Sequence, residues 1–216
     1  MRQLVWMATL TALLIGTVAA QEREKGDGSG APAVTGSQHH DYASLRNVSF
    51  PLEDFEVRTP EGNKIRVSEL LKDGKIVLLH FFATFCHNSN YDVVTVNELY
   101  RTYREAGLTV VGISEYADEK ELAKFVARHQ PLYPLVMEQE TGRKKTRHYR
   151  YRTLAGDDRK WGTPFNVVID GREVDSRGGT IARRMYVATG ELVRAEVESL
   201  IRRRLSEETG SRSDER

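Results

Sequence analysis

Cys86 is the residue whose type and position could do chemistry most directly, since it is the only cysteine among 216 residues. It follows an apolar, aromatic-rich run from Ile76 to Phe85, which is typical of a strand buried on both faces. The polar residues after Cys86 open a helical pattern that continues to Tyr103. A cysteine at the start of a helix lies where backbone N–H groups point outward and stabilise a thiolate. The sequence therefore predicts a reactive thiol, and its position at a turn argues against a buried, inert one.

Three polar side chains follow Cys86 closely enough to influence its sulfur. The imidazole of His87 and the hydroxyl of Ser89, one turn along, would both favour the thiolate, although Ser89 fits equally well as a cap of the first helical turn. Asp92 could move protons during exchange, or it could be an ordinary acidic residue near a helix start. We expect Cys86, Ser89 and Asp92 to act in catalysis and His87 to contact the substrate.

The first 20 residues predict export. Arg2 precedes an apolar run from Leu4 to Val18, and the small residues at positions 18–20 form a cleavage pattern, so we expect a signal peptide cut after Ala20. An uncleaved anchor is the alternative, but the run is shorter than the roughly 20 apolar residues of a spanning helix. We expect a secreted or periplasmic protein without stable membrane insertion. One cysteine permits no internal disulfide, so an exported chain of this kind carries a free thiol or pairs with another molecule.

Composition divides the rest of the chain. Residues 21–47 are rich in Gly, Ser, Ala and charged residues and read as a flexible linker, residues 48–205 as one domain, and residues 206–216 as a disordered tail. The pair His39 and His40 is expected to be solvated, because no further metal ligands lie at suitable spacing. A net charge of +1 gives no reason to expect nucleic acid, and no metal or cofactor is expected.

Two motifs resemble those of a known family. Phe81 to Cys86 resembles the F-W-A-T-W-C-x-x-C signature of secreted thioredoxin-like proteins of the TlpA/ResA group, relatives of the AhpC/TSA redoxins, with Ser89 in place of the second cysteine. Gly162 to Gly171 resembles the family's G-T-P-x-x-F-L-I-D-x-x-G. The resemblance implies that Pro164 follows a cis peptide bond and that Thr163 and Pro164 face the cysteine and bind substrate. It also places Asp92 where the family carries a glutamate.

The resemblance covers about Phe50 to Leu205 and implies an α/β, thioredoxin-like fold, with a central mixed sheet flanked by helices and an N-terminal β-hairpin extension. The alternation of strand and helix after position 76 independently indicates parallel strands with right-handed crossovers. The patterns predict the following elements: a turn at Thr59–Lys64, a short helix capped by Ser68, a strand Leu108–Ser114, an amphipathic helix Asp118–Arg128 with Leu122, Phe125 and Val126 on one side, a short strand Tyr133–Met137, a strand Ile181–Val187 and a closing helix Leu192–Leu205 capped by Thr189.

Basic residues alternate with tyrosines from Arg143 to Arg152. Such a segment could bind an acidic partner or single-stranded nucleic acid, but in a chain of nearly neutral charge we interpret it as a solvated helix face beside the site. The neighbouring region from Arg150 to Lys160 resembles a local insertion relative to the family.

A thiol without a partner cysteine leaves several functions open. Cys86 can exchange with thiols and disulfides of proteins or small molecules, hold a client as a mixed disulfide, or act as a one-cysteine peroxidase. The peroxidase hypothesis is weakest, because Ala83 occupies the place of the threonine of peroxidatic redoxins. A copper carrier would need a second cysteine. We favour a thiol-disulfide exchange protein that uses a single thiol, and the alternative is a redox-inactive, protein-binding module of the same fold.

Overall fold

A computed structural model describes residues 40–72, 74–139, 142–175 and 179–211, with side chains up to Glu207. The described residues form the following strands: β1 (Tyr42–Ala43), β2 (Arg46–Glu53), β3 (Glu56–Arg58), β4 (Lys64–Arg66), β5 (Ile76–Phe82), β6 (Leu108–Ser114), β7 (Leu135–Glu138), β8 (Phe165–Asp170), β9 (Thr180–Ala188) and β10 (Glu191–Leu192). They also form the following α-helices: α1 (Val67–Leu70), α2 (His87–Tyr103), α3 (Glu119–His129), α4 (Arg147–Leu154) and α5 (Arg194–Ser211). None of these helices is long and apolar enough to cross a lipid bilayer.

The main sheet is mixed, as predicted. Its strand order is β2-β9-β8-β5-β6-β7-β3-β4, with β5, β6 and β7 parallel and β8 antiparallel to β5. Strands β3 and β4 form an antiparallel hairpin around the predicted turn, in which Gly62 adopts a φ of 90° that favours glycine. A small second sheet pairs β1 with β10 in parallel.

The central strand β5 is buried along its whole length because both faces of the sheet are covered. Val77, Leu79 and Phe81 belong to one core and Leu78 and Phe82 to the other. Residues of α1 and α4 complete the first core, and residues of α2, α3 and α5 complete the second. The ends of β5 and β6 and the start of β8 therefore meet at one edge of the sheet.

Several predicted boundaries and caps are wrong. Ser68 lies inside α1, where its hydroxyl donates to Asp54 at 2.7 Å, and Arg66 precedes the helix. Thr189 does not cap the last helix, because β10 intervenes before α5 begins. Helix α5 also extends to Ser211, into the predicted tail, and β1 and the start of β2 occupy positions 42–47 of the predicted linker. The predicted signal peptide and the linker up to residue 39 lie outside the described residues.

Two surface predictions also fail. Val126 is 39% exposed, whereas Leu122 and Phe125 are buried as expected. The segment from Arg143 to Arg152 is not simply a solvated face, since His148 and Arg152 in α4 are buried. Their burial depends on contacts with residues 157–162, which no periodicity could reveal.

Candidate functional site

Cys86 lies at the N-cap of α2, in the turn that follows β5. The turn is closed by backbone hydrogen bonds from Cys86 N–H to Ala83 O at 3.0 Å and from Asn90 N–H to Cys86 O at 3.1 Å. The cysteine is half-buried, and it sits beside the unpaired N–H groups of the first helical turn. This is the position that the sequence predicted for a reactive thiol.

The structure brings Cys86 together with the second predicted motif, 77 residues away. The thiol donates a hydrogen bond to the carbonyl oxygen of Thr163, with Sγ 3.3 Å from that oxygen. The peptide bond between Thr163 and Pro164 is cis, and both residues are buried directly before β8. The contact is made by the protonated thiol, so it must break when the thiolate forms.

Ser89 is completely buried one turn into α2. Its hydroxyl oxygen accepts a hydrogen bond from the backbone N–H of Ala83 at 3.3 Å. The side chain thus ties the helix to the end of β5. A role for this hydroxyl in stabilising the thiolate stays a prediction.

His87 is exposed, and its ring lies edge-on to Tyr91 at 4.7 Å between ring centroids. The ring of His40 contacts Tyr91 from another side at 4.5 Å, and its Nδ1 lies 2.8 Å from the carboxylate of Glu191. The sequence suggested that His40 is a solvated linker residue, and these contacts show that it is not. Among the described residues His87 has no hydrogen bond to Cys86, so its contact with substrate remains a prediction.

Asp92 lies in a buried polar network rather than on the helix surface. Its carboxylate accepts hydrogen bonds from Leu192 N–H at 2.8 Å and from Asn166 Nδ2 at 2.7 Å. The oxygen of the Asn166 amide lies 2.9 Å from Nδ1 of His80, which itself is 3.5 Å from Asp92. Helical geometry places Asp92 about 9 Å further along the axis than Cys86. Proton exchange between the two would therefore need an intermediary.

Burial controls the charges in this network. It raises the pKa of Asp92 to about 7, against the hydrogen bonds from Leu192 and Asn166, while the nearby Glu191 raises it further. Burial also lowers the pKa of His80 to about 4, against its hydrogen bond to Asn166. Hence His80 is neutral near pH 7, and Asp92 can gain or lose a proton there.

The raised pKa of Asp92 predicts how stability changes with pH. Between about pH 4 and 7 folded Asp92 holds a proton that the unfolded chain has released, so the free energy of unfolding falls as pH rises. Urea denaturation should show that wild type loses roughly 2 kcal/mol relative to Asp92→Asn between pH 5 and pH 7. Titration of His80 in the unfolded chain contributes equally to wild type and to Asp92→Asn, so it cancels from the difference between their free energies of unfolding. If the free energy of unfolding of wild type, relative to that of Asp92→Asn, stayed constant or rose with pH, the raised pKa of Asp92 would be contradicted.

Several residues that support the site were not among those predicted. His80 and Asn166 are polar residues within apolar strand segments, a pattern that indicates buried hydrogen-bonded groups. Asn90 donates from its side-chain amide to the carbonyl oxygens of Cys86 at 2.6 Å and Thr84 at 3.3 Å. Its amide oxygen lies 2.5 Å from Nε2 of His129, which anchors the cysteine turn to α3.

Within the described ranges, no three His, Cys, Asp or Glu side chains are grouped so that they could hold a metal ion. The donor set around Cys86 consists of one thiol and a backbone carbonyl. The arrangement around Cys86 therefore offers thiol chemistry.

A thiol at the start of a helix that follows a central β-strand, opposite a cis proline, defines a thioredoxin-like domain. Solved structures support this fold. The thiol:disulfide interchange protein of the thioredoxin family from Chlorobium tepidum aligns with a TM-score of 0.52 at 21% identity, over 73% of this chain and 97% of that one. The peroxidoxin BcpB from Mycobacterium tuberculosis aligns with a TM-score of 0.52 at 20% identity, over 74% and 96%.

The sequence profile of the AhpC/TSA family matches residues 48–184, more than half of the chain, and the protein belongs to that family. Among curated relatives, the thiol-disulfide oxidoreductase ResA of Halalkalibacterium halodurans is 30% identical over 96 residues, covering 44% of this chain and 51% of that protein. ResA of Bacillus cereus is 33% identical over 90 residues, covering 41% and 50%. The chain therefore spans about half the length of these relatives.

Proposed function

We propose that this protein is an exported thiol-disulfide exchange protein that works through the single thiol of Cys86. The observation that carries the proposal is the half-buried Cys86 at the N-cap of α2, with its sulfur 3.3 Å from the Thr163 carbonyl oxygen. The similarity to ResA supports the chemistry. The signal-like segment before residue 21 supports a secreted or periplasmic location.

The exchange proceeds in two balanced steps. The Cys86 thiolate attacks one sulfur of a client disulfide, so that a Cys86–client disulfide forms and the other client sulfur leaves as a thiolate and takes up a proton. A second thiol, from the client or from a small molecule, then attacks the mixed disulfide and releases Cys86. Ser89 cannot perform this second step, because a hydroxyl does not exchange with disulfides.

We assign supporting roles to the neighbouring residues. The first-turn N–H groups of α2 stabilise the thiolate, and Ser89 fixes the helix against Ala83. We also propose that His87, Thr163 and Pro164 contact the client, and the Thr163 carbonyl 3.3 Å from the sulfur supports this role. Asp92 accepts a proton near neutral pH through an intermediary group, with His80 and Asn166 holding its carboxyl in place.

The test is the rate at which Cys86 reacts with the neutral disulfide dithiodipyridine at pH 6. We expect the folded protein to react at least about tenfold faster than the urea-unfolded chain, because the helix start favours the thiolate. Mass spectrometry should then show one adduct per chain, which added thiol removes. Equal or slower reaction of the folded chain would overturn the proposal.

A second candidate function is a redox-inactive module that binds extended peptides. The observation favouring it is that Ser89, at the place of the resolving cysteine, is buried and hydrogen-bonded to Ala83. This function predicts that Cys86→Ser binds client peptides as tightly as wild type. Thiol exchange predicts that capture of clients is lost in that variant.

A further inference from the structure

The segment from residue 143 to 160 is strongly basic. It contains eight Lys or Arg residues and two Asp residues, whereas the whole chain carries a net charge of +1. Among its residues, all of which the structure describes, Asp158 is the one exposed carboxylate. So uneven a distribution concentrates positive potential on one part of the domain.

Part of this charge is neutralised within the fold. Arg147 and Arg150 each lie 2.8 Å from the carboxylate of Glu53, and Arg152 and Arg159 pair with Asp157. The remaining cations form no ion pair with any carboxylate that the structure describes. They are Arg143, Lys144, Lys145 and Lys160.

Two of these free cations lie beside the thiol site. The guanidinium of Arg143 and the ammonium of Lys160 lie 5.7 and 5.5 Å from the ring centroid of Trp161, which is 40% exposed. Trp161 in turn lies 5.5 Å from the ring of Phe85, which is 57% exposed and directly precedes Cys86. We call Phe85, Trp161, Arg143 and Lys160 the basic aromatic surface.

We propose that the basic aromatic surface binds an acidic segment of the client next to its disulfide, so that the preferred substrates are acidic polypeptides. This inference rests on the proposed thiol exchange and specifies its substrate class. Arg143 and Lys160, which pair with no carboxylate among the described residues, attract the carboxylates of a partner. Both cations lie within two ring contacts of Phe85, the residue before Cys86. The distance between these cations and Phe85 is on the order of the ~8 Å Debye length at physiological ionic strength. The attraction between the cations and the client's carboxylates therefore acts while the client approaches Cys86. The exposed rings supply apolar contact beside the charges.

The test uses peptides of equal length, each with one cysteine activated as a pyridyl disulfide and flanked by Glu, Gln or Lys. We expect wild type to form the mixed disulfide at least about tenfold faster with the Glu peptide than with the Gln peptide at low salt, and the Lys peptide to be slowest. Added salt should reduce the advantage of the Glu peptide.

The double variant Arg143→Glu/Lys160→Glu should react more slowly with the Glu peptide than with the Gln peptide. Its rate with neutral dithiodipyridine is measured separately, and both peptide rates are divided by it, so that any effect of the reversed charges on the thiolate cancels. The matched control is Arg183→Glu/Arg203→Glu, which also replaces two cations with two glutamates. Arg183 is exposed in the half of β9 away from the site, and Arg203 is exposed in α5. We expect the control to keep the wild-type preference.

The outcomes separate this inference from the proposed function. Equal rates with the Glu and Gln peptides, together with fast reaction of dithiodipyridine, would overturn the inference and leave thiol exchange intact. No reaction with any disulfide would overturn both. Tight binding of a single-stranded oligonucleotide that the double variant loses would assign the surface to nucleic acid and also overturn the inference.

Discussion

Replacing Ser89 with cysteine is expected to raise the rate of protein disulfide reduction by at least about 100-fold, because the mixed disulfide would then be resolved within the chain. Position 89 has the spacing of the second cysteine in the family's C-x-x-C pair. Its side chain is completely buried, and a sulfur in place of the hydroxyl adds little volume. The remainder of the scaffold, with Thr163 and Pro164 against Cys86, is already in place.

The assay is reduction of a protein disulfide with dithiothreitol as the terminal reductant. Ser89→Ala is the matched control, since it removes the hydroxyl without adding a thiol and should not gain the reduction activity of Ser89→Cys. Mass spectrometry should show that oxidised Ser89→Cys has lost two hydrogens through an internal disulfide. If that disulfide forms and the reduction rate remains that of wild type, the scaffold does not support redox cycling.

His148→Leu is expected to lower the free energy of unfolding by about 2–5 kcal/mol, because it leaves two buried polar groups, the Gly162 carbonyl and the Glu115 carboxyl, without the imidazole beside them. His148 is buried, and its Nε2–H donates to the carbonyl oxygen of Gly162 at 3.0 Å. Its Nδ1 lies 3.6 Å from the carboxylate of Glu115. Glu115 is fully buried, and neither of its carboxylate oxygens has a hydrogen-bond partner among the described residues. Leucine keeps most of the packing against Phe81, so the loss reports polar contacts.

Urea denaturation of a double variant checks this explanation. Glu115→Gln/His148→Leu replaces the buried carboxyl by a neutral amide as well as removing the imidazole. It should recover at least about 1 kcal/mol of the loss, because an amide costs less to bury than a carboxylate. A double variant as unstable as His148→Leu would assign the effect to packing or to the hydrogen bond with Gly162. Because that bond holds the residue before Thr163, His148→Leu should also change the reaction rate of Cys86.

Much of the fold was predictable because it depends on local patterns. The apolar run before Cys86 predicted β5, and the predicted strand Leu108–Ser114 agrees with β6 at both ends. Spacing of apolar residues predicted α2 and α3. The resemblance of two short motifs to a known family, rather than any local pattern, implied that Pro164 faces Cys86. The predicted cap at Ser68 failed because its hydroxyl binds Asp54, which is distant in sequence, and the one at Thr189 failed because β10 intervenes before α5.

The polar interior was less predictable. Asp92 was identified from the sequence, but its partners Asn166 and Leu192 lie 74 and 100 residues away. A periodic pattern treats every charged residue as a surface residue, so His148 and Arg152 were assigned to a solvated face. Both are buried because the loop before Thr163 supplies carbonyl oxygens to them.

The sequence by itself determined that one thiol stands between a buried strand and a helix, and that no second thiol accompanies it. Tertiary structure decided what surrounds that thiol, namely the Thr163 carbonyl, the buried Asp92 network and the basic aromatic surface. The physical reason is the separation along the chain of the residues that interact. Strand and helix patterns arise from neighbouring residues, whereas hydrogen bonds, burial and the pairing of charges join segments that only the folded sheet brings together.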